Sequence, residues 1–280
     1  MTRITPDELR VIIKYIYDVS GIHLDENKGY LVETRLGRLI KEFGCASYGE
    51  LCFKAKSDVT GAIRRKVIDA ISTKETLFFR DKTPFELLQN KILPDLIDKR
   101  ASQSSGILPI NIRIWSAACA TGQEIFSIGM VLKEIVPDLS KYNVRLLGTD
   151  ISDEAVSRAS YGQYGKFEIE RGLPEDKLER YFNSDGNVWR IKDEVRSLAV
   201  FKRHSLMDSF AGLGKFDIVF CRNVAIYFAH KDRVNLFYRI ADILEPDGYL
   251  IIGSTESLMD ICPRFEPEKY LRSIFYRLAA

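Results

Sequence analysis

The feature that most constrains this chain is a strand–turn–helix–strand unit over residues 113–150. An apolar run around Trp115 predicts a strand, and a loop of small residues, 117–122, follows it. Apolar residues at helical spacing then predict a helix over 125–132, and a second apolar strand ends in Asp150. An acid that closes the second strand of such a unit is typical of a nucleoside-binding site in an α/β fold, where it accepts the ribose hydroxyls.

The turn of this unit also indicates which nucleoside binds. A dinucleotide-binding turn carries three spaced glycines, and here Gly122 alone remains, so the loop is not built to cradle a pyrophosphate. Glu124 stands where the helix opens, and a carboxylate there repels phosphate and attracts a cation. We therefore expect S-adenosylmethionine, a nucleoside that carries an amine and a sulfonium but no phosphate. Two simpler interpretations stay open: Asp150 caps the helix that begins near Ser152, and Glu124 only complements the helix dipole.

Composition narrows the classes of protein that remain. A chain of 280 residues, 46% hydrophobic and 29% charged, suits a globular protein, and a formal net charge of +2 gives no support for nucleic-acid binding. No apolar run is long enough to cross a bilayer, and the first residues lack the apolar core of a signal peptide. The five cysteines form no Cys-x-x-Cys pair and the three histidines show no ligand spacing. We therefore expect a cytoplasmic protein with no membrane insertion, no metal site and no disulfide.

The chain divides into three predicted parts. Residues 1–71 carry apolar side chains at helical spacing and predict an N-terminal helical domain. Residues 72–109 predict a linker and a lead-in helix, with a flexible joint at 102–106. From 110 to 280, strands and helices alternate, which predicts an α/β domain with a Rossmann-like parallel sheet and helical crossovers.

One insertion interrupts this alternation. Residues 181–191 read as a β-hairpin around an Asp-Gly turn, and 195–201 could add a third strand. We therefore expect a small antiparallel β subdomain over about 181–201.

Further polar side chains stand where chemistry could occur. Residues 76–80 place two aromatics and Arg80 outside any periodic element, which indicates a segment folded over another surface. Arg222 and Asn223 end a buried strand, and Tyr227 follows in the next turn, at the sheet edge where ligands bind. The alternatives are an aromatic pair in a domain interface with a solvated arginine, and a core tyrosine at 227.

Several segments together resemble one known family. The segments are residues 78–80, 116–124, 220–228 and 246–258. They are similar to motifs of the CheR family, the methyltransferases of chemotaxis receptors, and the resemblance covers nearly the whole chain. It implies a fold with a helical N-terminal domain, an S-adenosylmethionine-binding sheet and a small antiparallel subdomain.

The resemblance also implies a set of site residues. By matching position, the family's cofactor contacts fall on Thr76, Arg80, Glu124, Asp150, Leu206, Arg222 and Asn223. Arg80, Asp150 and Tyr227 would line the reaction centre, with Arg80 and Tyr227 as the catalytic pair. Two positions depart from the family, which usually has asparagine where this chain has Lys74 and Ser205. Serine can still hydrogen-bond, so we keep Ser205 as a cofactor contact, whereas Lys74 puts one contact in doubt.

The implied substrates are glutamate carboxylates on the cytoplasmic helices of chemoreceptors, with S-adenosylhomocysteine as the product. A predicted helix over 28–43 carries Lys28, Arg35 and Arg38 on one side, which suits an acidic helix, and the family uses its second helix in this way. We expect a monomer that has no nucleic-acid partner. Two alternatives remain: a methyltransferase with another acceptor, and a non-catalytic binding module with the same fold, which Lys74 motivates.

Overall fold

The N-terminal part of the chain is helical, as its apolar spacing predicts. The structure is a computed structural model that describes residues 3–103, 109–136 and 138–279. The helices of this part are α1 (Pro6–Ser20), α2 (Gly29–Glu42), α3 (Tyr48–Ser57) and α4 (Ala62–Ile71). Thr5 and Glu8 form a capping box at α1, and Ser47 caps α3. The apolar faces of these helices meet in one buried cluster, which stabilises the helices by tertiary packing.

A longer helical stretch leads from these helices towards the sheet. It consists of α5 (Thr83–Leu87), a π-helical turn (Leu88–Ile92) and α6 (Leu93–Gln103). The predicted joint at 102–106 is therefore still helical at Ser102 and Gln103, and residues 104–106 lie outside the described residues.

Strands and helices alternate through the rest of the chain. The strands are β1 (Ile110–Ala117), β2 (Tyr142–Asp150), β3 (Gln163–Gly165), β4 (Phe182–Asp185), β5 (Val188–Ile191), β6 (Ala199–Arg203), β7 (Phe216–Cys221), β8 (Leu244–Ile252), β9 (Phe265–Tyr270) and β10 (Ser273–Leu278). The helices are α7 (Gln123–Ile135), α8 (Asp153–Tyr161), α9 (Lys166–Glu170), α10 (Glu175–Tyr181), α11 (Asp193–Arg196) and α12 (His230–Ile243).

The main sheet has a topology that fixes where a ligand can bind. In the described residues it has seven strands in the order β6-β2-β1-β7-β8-β10-β9. The first five strands are parallel, and β10 is antiparallel to β8 and β9. The order runs away from β1 in both directions, through β2 on one side and β7 on the other, so a topological switch point lies between β1 and β7. This confirms the predicted Rossmann-like sheet.

Strand β1 shows how the sequence builds a core on both faces of this sheet. Successive side chains of a strand point to opposite faces. Ile112 and Ile114 belong to the buried cluster that includes α7, while Trp115 and Ala117 belong to the cluster that includes α12. Because both faces are covered by helices, the strand is apolar almost throughout, as parallel strands usually are.

The small antiparallel sheet corrects one prediction. The hairpin is present as β4 and β5, but the proposed third strand at 195–201 is wrong. Val195 is fully buried in α11, and residues 199–203 form β6, which pairs parallel with β2 in the main sheet. The third strand is instead β3, which pairs with β5. Three residues are too few to show a strand periodicity, and the partner of each short strand is set by distant contacts.

Candidate active site

A cavity of about 350 Å³ lies at the switch point, at the carboxyl ends of β1, β2 and β7. Its volume lies within the usual range for a small-molecule site. Most of the predicted site residues line it: Lys28, Arg35, Thr76, Arg80, Glu124, Asp150, Ser205, Leu206, Arg222, Asn223 and Tyr227. Arg38 is the exception, because it is exposed on α2 and is not among the residues that line the cavity.

Asp150 is fixed by backbone amides from two loops. Its Oδ2 accepts a hydrogen bond from the Ala120 amide at 3.0 Å, and its Oδ1 accepts one from the Ser152 amide at 2.9 Å. Ala118 and Ala120 have φ values of 60° and 47°, so the β1–α7 loop wraps tightly around the carboxylate. Burial raises the pKa of Asp150, against the two amide donors that stabilise the charged form. The cap of α8 is Ser152, whose hydroxyl accepts from the Ala155 amide, so Asp150 is available to a ligand.

Glu124 and Arg222 form a buried charge network with an acid that the sequence reasoning missed. The Arg222 side chain is 1% exposed and donates to Glu124 Oε2 at 2.9 Å and to Asp81 Oδ2 at 2.8 Å. Glu124 Oε1 accepts from the Ser116 hydroxyl at 2.8 Å. Glu124 is therefore bound to specific partners and does more than complement the dipole of α7. Its neighbour in the network, Asp81, could have been suspected from its place directly after Arg80.

The segment that carries Arg80 is held in an unusual conformation. Phe79, Asp81 and Lys82 have φ values of 50°, 68° and 46°, a region that costs about 1–2 kcal/mol for each non-glycine residue. The Phe79 amide donates to Ser127 Oγ at 3.0 Å, and Arg222 donates to the Arg80 carbonyl at 2.9 Å. These contacts hold the turn, so that half-buried Arg80 lines the cavity.

The aromatic pair in this segment is part of the core. Phe78 contacts Tyr164 and Phe182 edge-on, with ring centroids 4.9 Å and 5.5 Å apart, and so joins the segment to the small sheet. The segment is thus folded over another surface, as predicted. The alternative of an aromatic pair in a domain interface with a solvated arginine is wrong, because both phenylalanines lie in the core of the sheet domain and Arg80 is half-buried at the cavity.

The β7 end of the cavity is shaped by a second buried carboxyl group. Glu256 Oε2 accepts from the Asn223 amide at 2.6 Å and from the Gly253 amide at 2.8 Å. This contact holds Asn223 in the left-handed region, with φ of 56°. Burial raises the pKa of Glu256. Glu256 lies in the loop that follows β8, and its distance in sequence from Asn223 means that no local pattern predicted this role.

The helical domain closes the cavity at Tyr227. The His23 amide donates to the Tyr227 carbonyl at 2.8 Å, and Ile22 forms an antiparallel bridge with Phe228. The Tyr227 side chain is half-buried and lines the cavity.

The predicted basic stripe of α2 divides between two environments. Lys28 is exposed at the cavity, while Arg35 is half-buried there and donates to the Ile71 carbonyl and to Thr73 Oγ1. Lys74, the departure noted above, does not line the cavity and pairs with Glu154.

The residues of the cavity fit S-adenosylmethionine. Asp150 presents an anionic acceptor for hydroxyl groups, and Glu124 presents a second carboxylate in the first turn of α7. Arg80 and Arg222 also line the cavity, and a guanidinium group suits a ligand carboxylate. A nucleoside that ends in an amino acid carries the complementary groups.

The part of the chain that the structure describes offers neither a metal site nor a membrane-spanning helix. No cluster of three or more histidine, cysteine or acidic residues there could hold a metal ion. None of the helices in the same ranges has the length and apolar character that a membrane span needs. All five cysteines are buried and unbridged.

Comparisons with known proteins agree with this geometry. The family model of the CheR methyltransferase SAM-binding domain matches residues 74–272, and that of the CheR all-alpha domain matches residues 7–72. The chain is 38% identical over 267 residues to chemotaxis protein methyltransferase 1 of Pseudomonas aeruginosa, covering 94% of each protein. It is 36% identical to the chemotaxis protein methyltransferase of Vibrio parahaemolyticus, covering 99% of this chain and 100% of the relative. The chain therefore belongs to the CheR methyltransferase family and contains its S-adenosylmethionine-binding domain.

Proposed function

We propose that this protein transfers a methyl group from S-adenosylmethionine to glutamate side chains on the cytoplasmic helices of chemoreceptors. The products are glutamyl methyl esters and S-adenosylhomocysteine. Membership of the family and the names of its relatives support methyl transfer in chemotaxis. The observation that carries the choice of a carboxylate acceptor is the charge layout of the cavity. Basic Lys28 and Arg35 stand on the wall formed by the helical domain, and acidic Asp150 and Glu124 stand on the wall formed by the sheet.

The residues of the sheet wall would hold the cofactor. Asp150 has lone pairs left over from its two amide contacts and would accept from the ribose hydroxyls. Glu124 would attract the amine of the amino-acid end, and Arg222, which lines the cavity, would contact the carboxylate there. Further cofactor contacts would come from residues that line the same cavity: Thr76, Arg80, Ser205, Leu206 and Asn223. When bound, S-adenosylmethionine supplies an electrophilic methyl group on a positively charged sulfur.

The remaining residues would bring the acceptor to this position. A glutamate carboxylate is ionised at neutral pH, so the chain needs no general base to activate it. Tyr227 would hold the acceptor in line with the bond between sulfur and the methyl group. Arg80 would hold the cofactor or the carboxylate oxygen that does not attack, because a tight ion pair with the attacking oxygen would lower its nucleophilicity. Lys28, Arg35 and, on the outer surface, Arg38 would attract an acidic receptor helix. The rate would come mainly from positioning and from exclusion of water.

Transfer of a radioactive methyl group to receptor fragments tests this function. The proposal predicts label on fragments that carry methylatable glutamates, loss of the label in mild alkali, and no label when these glutamates are replaced by alanine. Alkali-stable label would contradict a carboxylate acceptor. Absence of both transfer and S-adenosylhomocysteine binding would favour a non-catalytic module. Fragments with and without their C-terminal tails show whether the tail is needed.

A further inference from the structure

The helical domain contacts the sheet domain directly beside the nucleoside site. Asp69 lies near the end of α4, which packs against α8. Its Oδ1 accepts from the Ser152 hydroxyl at 2.7 Å and from the Glu154 amide at 3.4 Å. A carboxylate of one domain therefore stands at the N-terminus of a helix of the other, where the helix dipole favours negative charge.

Ser152 connects this contact to the proposed ribose-binding group. It is fully buried, and its hydroxyl oxygen accepts from the Ala155 amide while its single proton goes to Asp69. Its own backbone amide donates to Asp150 Oδ1 at 2.9 Å. Without Asp69 the buried hydroxyl proton would lose this acceptor, and an unpaired buried donor costs free energy unless the group moves. Any movement of Ser152 also moves the amide that orients Asp150.

We propose that Asp69 is a positioning residue for the nucleoside site: it fixes Ser152, and Ser152 fixes the Asp150 carboxylate. The inference rests on the proposed function, because it takes Asp150 as the ribose contact. It has a second consequence, since coupling between two sites is reciprocal. Occupation of the nucleoside site stabilises the docking of α4 on α8 as much as this docking strengthens binding.

The chain offers a matched control for this contact. Arg65, also on α4, pairs with Asp153 of α8 at 3.4 Å, and the two side chains are 40% and 42% exposed. An exposed pair of this kind contributes little to stability. Replacing Arg65 therefore removes a contact between the same two helices without touching Ser152.

Calorimetric titration with S-adenosylhomocysteine tests the proposal without any methyl transfer. We expect Asp69→Ala to raise Kd about tenfold, the size of effect of one hydrogen bond to a charged group. Asp69→Asn keeps an acceptor oxygen, so its Kd should stay within about twofold of that of the unmodified protein. The Kd of Arg65→Ala should also stay within about twofold. Hydrogen exchange gives a second readout: the ligand should protect the amides of α4 in the unmodified protein and fail to do so in Asp69→Ala.

The outcomes separate this inference from the proposed function. If Asp150→Ala binds S-adenosylhomocysteine as tightly as the unmodified protein, the nucleoside site itself is misassigned. If Asp150→Ala abolishes binding while Asp69→Ala leaves both Kd and α4 protection unchanged, only the role of Asp69 is wrong. Should Asp69→Ala not fold, Ser152→Thr and Ser152→Ala probe the contact from the other side. The threonine variant keeps the hydroxyl and should bind S-adenosylhomocysteine at least fivefold more tightly than the alanine variant does. Equal affinities of the two variants would overturn the proposal.

Discussion

At the scale of single residues, the site is organised by carboxylates that are buried against backbone amides. Asp150 and Glu256 each accept from two amides, and burial raises the pKa of both. Arg222 links Glu124 to Asp81 and so joins the strand ends to the segment that carries Arg80. Function at this scale therefore depends on which groups are charged as much as on which groups are present.

The raised pKa of Asp150 predicts a pH dependence of cofactor binding. The ionised carboxylate is the form that accepts from two ribose hydroxyls, and burial favours the protonated form. Affinity should therefore be full at neutral pH and fall as the pH drops through a pKa that lies above the ordinary 3.8 of aspartate. Titrations with S-adenosylhomocysteine between pH 7 and pH 4 measure this.

A histidine in the same cavity provides the control for this experiment. Burial lowers the pKa of His204 from 6.5, so this side chain also takes up a proton in the acid range. His204→Gln should keep the loss of affinity at low pH if Asp150 causes it. A pH-independent Kd in that variant would assign the effect to the histidine and contradict the role of Asp150.

At the scale of elements, the β1–α7 loop depends on a glycine that two neighbours crowd. Gly122 has φ of 95°, and a Cβ there would lie 3.0 Å from Ala159 Cβ and 3.1 Å from Tyr164 Oη. Gly122→Ala should therefore lower the free energy of unfolding by about 2–4 kcal/mol, from the left-handed conformation and the crowding together. It should also weaken S-adenosylhomocysteine binding, because the same loop holds Asp150. Urea unfolding and calorimetry measure the two effects.

Gly186 separates the conformational cost from the crowding. It has φ of 60° in the β4–β5 turn, and a Cβ there would meet no atom within 4 Å. Gly186→Ala should lower the free energy of unfolding by about 1 kcal/mol and leave the affinity for S-adenosylhomocysteine unchanged. Equal effects of the two substitutions on stability and on binding would show that contacts around Gly122 do not matter.

The sequence alone predicted some strands and site residues and missed others. Apolar runs predicted the buried strand that precedes Arg222 and the strand that ends at Asp150, and the polar residues at the ends of these strands line the cavity. The pairing of β6 and the strand β3 escaped prediction, because their partners are set by tertiary packing. Asp69 escaped because it reaches the site through a domain contact that no local pattern encodes. Asp81 follows Arg80 directly, and only its pairing with Arg222 depends on a distant contact.

At the scale of the whole molecule, a partly buried ion cluster ties the lead-in helix to the sheet. Arg100 of α6 donates to Asp217 of β7 at 2.7 Å and to both carboxylate oxygens of Asp247 of β8. Lys99 also pairs with Asp247, at 2.8 Å. Arg100 and Lys99 hold the pKa of Asp247 well below its usual range. The cluster lies at the amino end of the sheet, away from the cavity, so its role is in stability.

Neutralising this carboxylate should destabilise the protein in a pH-dependent way. A lowered carboxyl pKa contributes stability that is complete above the unfolded-state pKa and is lost as the pH falls towards the folded-state pKa. Asp247→Asn should therefore lower the free energy of unfolding by about 1–2 kcal/mol at pH 7. The difference in free energy between the variant and the unmodified protein should be smaller at pH 3. Asp18→Asn, in an exposed pair with Lys14, is the control and should show no clear difference at either pH. Urea unfolding at the two pH values measures both, and a difference for Asp247→Asn that grows in acid would contradict the assignment.

A crystal structure of the protein with S-adenosylhomocysteine would show directly whether the cavity at the switch point is the nucleoside site. The ligand should lie in the cavity at the switch point, with its ribose hydroxyls on Asp150, its amine towards Glu124 and its carboxylate towards Arg222. A ligand bound elsewhere, or bound in this cavity with no contact to Asp150, would contradict this assignment.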